Sequence, residues 1–210
     1  MNINRHAGLA GILGGLSYLL FAALYVAAHG LDAQPDHRIV LGLSQNAWYA
    51  LGVLPYPLQL LAFRGVTAQP TQQHSPVPRT LLGLSALGLI AAGTGHALLA
   101  WPHGGDWRSA PTELIGWPLH MTGYVTFSLG TCLAVLLGAR AWGTHSVRWL
   151  IGALGAFLTA SMVAGMLDPD AGMEFTLLPL ALYGLTWIQL GRTLRAGSPG
   201  VPGPGAGVTA

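Results

Sequence analysis

Between Thr80 and Gly105 the chain reads TLLGLSALGLIAAGTGHALLAWPHGG, 26 residues without a formal charge. A helix of about 20 residues crosses the roughly 30 Å of bilayer hydrocarbon, so this stretch can span a membrane with some tilt. Five more charge-free stretches flank it. They are His6–Leu31, Ile39–Phe63, Leu114–Ala139, Trp149–Leu167 and Phe175–Gly191, of 26, 25, 26, 19 and 17 residues. A charge at the centre of a span costs about 2.5–3.5 kcal/mol on insertion scales, and this sequence places none there. The expected fold is all-α: a polytopic bundle of six transmembrane helices arranged as three hairpins. The spans fall near residues 7–29, 41–63, 80–101, 116–138, 149–167 and 175–191, inside one transmembrane domain of residues 1–195.

Composition supports this and removes whole classes of chemistry. Only 8 % of the 210 residues are charged and 52 % are hydrophobic, where a soluble domain carries about a quarter charged residues. All nine basic residues are arginine. Without lysine, retinal Schiff bases, pyridoxal enzymes and a phosphate-loop lysine are excluded. The single cysteine, Cys132, excludes an intrachain disulfide and a multi-cysteine metal centre. A net charge of +2 with no basic cluster excludes nucleic acid as a partner. The partners expected instead are the lipid bilayer and a membrane-protein partner or further copies of the chain.

Arginine is divided unevenly among the connections. Arg38 and Arg108 lie on one side of the spans, and Arg5, Arg64, Arg79, Arg140, Arg148, Arg192 and Arg195 on the other. The positive-inside rule then puts both termini in the cytoplasm, as expected for a multi-pass protein of a bacterial inner membrane. Every acid falls on the outer side: Asp32, Asp36, Asp106, Glu113, Asp168, Asp170 and Glu174. The first span has a second reading, in which Arg5, the apolar run and Val26-Ala27-Ala28 form a cleavable signal peptide. Gly65–Pro78 reads as a proline-punctuated cytoplasmic loop, and 196–210 as a disordered Pro/Gly-rich cytoplasmic tail.

Two helix ends share a pattern. Ala23-Leu24 is followed four residues later by His29-Gly30-Leu31-Asp32, and Ala97-Leu98 by His103-Gly104-Gly105-Asp106. The third hairpin keeps only acids, Asp168 and Asp170. The return helices carry Tyr49, Tyr124 and Tyr183 among small residues. Gly and Asp after a helix make a cap and turn with no ligand needed. Read chemically, His29, Asp32, His103 and Asp106 could instead hold a divalent metal, imidazole and carboxylate suiting zinc and a bound hydrolytic water. No fixed ligand spacing such as HExxH accompanies them.

Small residues at four-residue spacing, Gly11 and Gly15 in the first span, point to close helix packing within the bundle. Trp48, Trp101, Trp107 and Trp117 gather toward the outer interface, and Trp142, Trp149 and Trp187 toward the inner one, as an aromatic belt. His6, His37, His74 and His145 fall in segments expected to be solvated.

His96 and His120 are different. They lie at similar depth on consecutive antiparallel spans, where polar groups face the bundle interior. Gly93, Thr94 and Gly95 leave little bulk beside His96, and His120, Tyr124, Ser128 and Thr131 share one helix face. That face can line a pocket or make interhelical hydrogen bonds. Two histidines on facing helices also permit axial ligation of one b-type haem, although the inner leaflet has no second pair. Pro55-Tyr56-Pro57 is the strongest helix break in any span.

The glycine-rich first helix opening Ala7-Gly8-Leu9, the short loops, and Trp101-Pro102 leading toward His120 give a layout over residues 5–195. This layout resembles that of bacterial six-helix integral membrane proteins grouped as domains of unknown function. The resemblance implies an integral membrane protein without an assigned activity. The expected function is therefore non-catalytic: small-solute binding in an outward-facing polar His pocket, or a subunit role in a membrane assembly. The alternatives are a haem-binding electron carrier using His96 and His120, and a metal-dependent membrane enzyme with an outer His/Asp site.

Overall fold

The computed structural model describes residues 3–29, 43, 45–68, 76–101, 111–137 and 174–196, together with Gly155, Ala160 and Val163. The helices are α1 (Ile3–His29), α2 (Gln45–Val53), α3 (Pro55–Thr67), α4 (Pro76–Leu99), α5 (Pro111–Leu136) and α6 (Glu174–Ala196). The protein is all-helical, and three helical segments are long and apolar enough to cross a membrane: Arg5–Leu24, Pro76–Leu99 and Leu114–Leu136. Gly155, Ala160 and Val163, the described positions of the fifth expected span, are helical. Residues 197–210 of the expected tail lie outside the described residues.

The second apolar stretch is two helices. Pro55 and Pro57 have no N–H, so the Leu51 and Val53 carbonyls lose their ordinary donors. The chain turns at Leu54, whose N–H reaches the Leu51 carbonyl at 3.4 Å, and α3 begins with Pro55 in its first turn. Helix also extends into the expected loop 65–78 from both ends. α3 runs on to Thr67 because Gly65 and Val66 are buried, Gly65 against Ala7 and Leu194. α4 starts at Pro76 because proline suits a first turn, whose N–H groups have no helical partner.

Glycines set the packing and its antiparallel sense. Gly88, Gly95 and Gly123 bring α4 and α5 into backbone contact. A Cβ at Gly88 would lie 2.5 Å from the Phe127 nitrogen, and one at Gly95 would strike the His120 backbone. Along α1, Gly8 meets Gly191 and Arg195, Gly11 meets Gly191 and Trp187, and Gly15 meets Gly184 and Ile188. The Gly11/Gly15 face is thus an internal seam with α6. Gly14 lets α1 approach Leu58 and Gln59 of α3, and α2 and α3 both touch α4. Without large side chains in the way, dispersion between backbones replaces the hydrophobic drive that lipid cannot supply.

This register collects Arg5, Arg64, Arg79, Arg192 and Arg195, all exposed, at one end of the bundle. Just inside that end lies an apolar layer of Ala7, Phe63, Val66, Leu82, Trp187, Leu190 and Leu194, all buried. Two tryptophans depart from the belt reading. Trp48 and Trp187 are 2 % and 3 % exposed, whereas Trp101 and Trp117 are 65 % and 40 % exposed. Trp187 stacks on Phe127 at 5.8 Å across α5 and α6, a core contact that outweighs the interfacial preference of indole.

Candidate functional site

Above the apolar layer, toward the end opposite the arginines, the bundle interior turns polar and aromatic. Tyr18 of α1, Tyr56 of α3, Tyr124 of α5 and Tyr183 of α6 are each no more than 6 % exposed. The Tyr56 hydroxyl donates to Tyr124 at 2.9 Å, and Tyr124 donates to Tyr18 at 3.3 Å. Tyr183 donates to Gln59 Oε1 at 2.9 Å, while Gln59 Nε2 is buried with no hydrogen-bond partner. The rings pack edge to face, Tyr18 against Tyr183 at 4.9 Å and Tyr124 against Tyr183 at 5.5 Å. Phenol rings suit this position because they fill an apolar core while their hydroxyls satisfy one another.

The histidine pair caps this cluster. His96 and His120 have ring centroids 4.9 Å apart, so the two imidazoles placed at one depth by their spacing do meet. His120 Nδ1 lies 3.0 Å from the Ala92 carbonyl oxygen. A carbonyl only accepts, so Nδ1 carries the hydrogen and Nε2 keeps a lone pair. His96 is 7 % exposed, and neither of its ring nitrogens makes a hydrogen bond of proper geometry, although the Tyr49 backbone carbonyl faces the ring. Phe21, Tyr49 and Tyr56 surround it at centroid distances of 5.8, 5.6 and 5.7 Å.

Local sequence makes room for these rings. The missing side chain of Gly52, two residues before the Leu54 break, leaves space for the His96 imidazole. A Cβ on Gly93 would lie 3.0 Å from Tyr56 Cβ. The proline pair that breaks the span thus delivers Tyr56 to the histidines, and Gly93 opposite lets it fit.

Of the remaining pocket candidates, Tyr124, Ser128 and Thr131 face the interior at 2 %, 2 % and 3 % exposure. Thr131 donates to Ser85 Oγ at 3.3 Å and Ser85 donates to the Leu81 carbonyl at 2.9 Å, which makes this end of the stripe an interhelical hydrogen-bond seam. His29 closes α1, but its side chain, like Asp32, His103 and Asp106, lies outside the described residues. Among the described residues no group of three or more His, Cys, Asp or Glu is placed to hold a metal ion.

Haem fits this pair poorly. Axial imidazoles on opposite faces of one iron have ring centroids roughly 6 Å apart with a macrocycle between them. Here the rings stand 4.9 Å apart, and α4 and α5 are locked in backbone contact beside them at Gly95 and Gly123.

Tyr18, Tyr49, Tyr56, Gln59 and Tyr183 complete the cluster, and none of them carried a site expectation. Gln59 was detectable as an amide deep in an apolar run, and Tyr56 as the residue between two prolines. Tyr18 offered only its place after Gly14-Gly15. Comparison with protein-family models, curated proteins and solved structures found no match in any of the three.

Proposed function

We propose that this protein is a six-span membrane protein whose buried histidine–tyrosine cluster is a binding site for a small polar solute. The spans form three hairpins with both termini cytoplasmic, and the site is reached from the outer side of a bacterial inner membrane. The orientation rests on the arginines, seven on one side of the expected spans and two on the other. The bacterial assignment rests on the resemblance of layout.

The observation that carries the binding reading is His96. A buried imidazole whose nitrogens lack proper partners costs about 1–3 kcal/mol, so a core serving packing alone would favour leucine there. In a membrane interior such groups mark ligand and ion sites. The broken span adds support, because helices interrupted beside a polar cluster are a common way to build a solute site within a bundle.

The test is thermal unfolding of the purified protein in mild detergent against a panel of small amides, alcohols and amines. At least one class is expected to stabilise the wild type and to leave His96→Leu unchanged. A folded His96→Leu that matches the wild type against the whole panel would sink the reading.

A further inference from the structure

Three arginines share one outer seam of the bundle. The packing of α1 on α6 lays the Arg195 stem over Gly8, where a Cβ would lie 2.5 Å from Arg195 Cγ. Arg5 precedes Gly8 by three residues and Arg192 precedes Arg195 by three, and residues at that spacing are neighbours on a helix surface. The core side of the seam is taken by Ala7, Trp187, Leu190 and Leu194, all buried, whereas Arg5, Arg192 and Arg195 are exposed. The three guanidinium groups therefore lie together on the outer side. Arg64 belongs to α3, which meets the pair from the core side at Gly65, and Arg79 belongs to α4. Neither joins the trio.

No carboxylate answers these charges. The sequence has no Asp or Glu before Asp32 or after Glu174, and none in 37–105 or 114–167. Glu174 opens α6, 18 residues and about 27 Å along the helix from Arg192. Like charges gathered without counter-charges repel one another and gain from an anion. Guanidinium forks match phosphate oxygens two at a time, so the anion that fits the trio best is a phosphate.

The surface beside the trio favours a phosphate that carries acyl chains. Leu9 and Leu16 continue the outward face of α1 from Arg5, 44 % and 50 % exposed, within a segment apolar enough to cross a membrane. Across the seam Leu185, 52 % exposed, lies two turns along α6 from Arg192. Between them Gly8, Gly11 and Gly15 hold the two backbones together, so the leucines flank a shallow track that begins at the arginines. A free phosphate ion would use only its charged end.

We infer that the arginine end of the α1–α6 seam binds an anionic phospholipid, its phosphate held by Arg5, Arg192 and Arg195 and an acyl chain laid along Leu9, Leu16 and Leu185. The inference needs α1 to cross the membrane and draws nothing from the histidine cluster.

The full-length protein in mild detergent is unfolded thermally with added phosphatidylglycerol, with phosphatidylcholine of the same chains, and with inorganic phosphate, at equal ionic strength and pH. Phosphatidylglycerol near saturation is expected to raise Tm by about 5 °C or more, and the other two to leave it unchanged. Arg5→Gln, Arg192→Gln and Arg195→Gln should each weaken the apparent affinity about fivefold. Arg79→Gln, the same loss of charge on α4, should leave it unchanged. If one of the three seam variants fails to fold, the other two decide the matter. Equal shifts from the two lipids would mean that the headgroup is not read, and overturn the inference. A shift from inorganic phosphate as large as that from phosphatidylglycerol overturns the lipid as ligand. Arg79→Gln weakening binding as much as Arg195→Gln overturns the seam in favour of attraction to the whole basic end. No shift from phosphatidylglycerol overturns the inference outright.

Discussion

Replacing Tyr124 by phenylalanine removes one oxygen from the centre of the bundle and keeps the ring that packs against Tyr56, Tyr183 and His120. That oxygen accepts from Tyr56 and donates to Tyr18, so two interhelical hydrogen bonds vanish and α1, α3 and α5 lose their shared link. Interhelical hydrogen bonds in membranes are worth about 0.6 kcal/mol on average and up to about 1.7. Tyr124→Phe should therefore cost about 1–3 kcal/mol, part of it the penalty for a stranded Tyr56 hydroxyl. Tyr56→Phe breaks only the first bond and should cost about 0.6–1.7 kcal/mol. The double variant loses no bond that Tyr124→Phe had kept, and it strands no Tyr56 donor. It should be as stable as Tyr124→Phe or slightly more so, with a coupling of about 1 kcal/mol. Unfolding in mixed micelles by stepwise addition of sodium dodecyl sulfate, followed by tryptophan fluorescence, measures all four proteins. Additivity within about 0.3–0.5 kcal/mol would refute the hydroxyl chain, because unlinked sites behave that way.

Three other outcomes follow from the packing and the site. Gly123→Leu should unfold the α4–α5 pair or block its expression, since even a Cβ there would strike the Ala92 backbone. Gly83→Ala should be neutral or stabilising by up to about 1 kcal/mol, because nothing lies within 4 Å of an added Cβ; equal losses in the two variants would contradict the glycine seam. Cys132 of α5, 7 % exposed and packed against Gly155, should resist a polar maleimide in mild detergent and react fully after denaturation. Prompt labelling of the native protein would mean that the contact with Gly155 opens. Oxidised and dithionite-reduced absorption spectra of protein from haem-replete cells should show no Soret band, and one lost in His96→Ala would overturn the geometric argument against haem.

Helical content and three of the apolar spans were legible because both depend on local patterns: charge-free runs, and charged residues confined between them. Depth was legible too. Residue spacing alone put His96 and His120 at one level, and antiparallel neighbours brought their rings together. What local pattern left hidden was rotation about the helix axis. Trp48 and Trp187 sit near span ends like the exposed Trp101, yet they turn inward, Trp187 onto the Phe127 ring of α5. The tyrosine cluster was half visible for the same reason. Tyr49, Tyr124 and Tyr183 stood out beside small residues, whereas Tyr18 and Tyr56 join them from helices whose angle depends on glycine contacts with α6 and α4. The Pro55/Pro57 break announced a kink but gave no sign of which partner it would present.

The apolar layer near the arginine end has a physiological consequence. The hydroxyl chain from Tyr56 through Tyr124 ends at Tyr18, and toward the arginines it is followed by Phe63, Val66, Trp187, Leu190 and Leu194, side chains with no titratable proton and no oxygen to replace the water of a dehydrated ion. The Born cost of moving a charge through such a layer is many times thermal energy. A charge passing among the described helices would have to cross this layer, which therefore acts as an electrical barrier between the two ends of the bundle there.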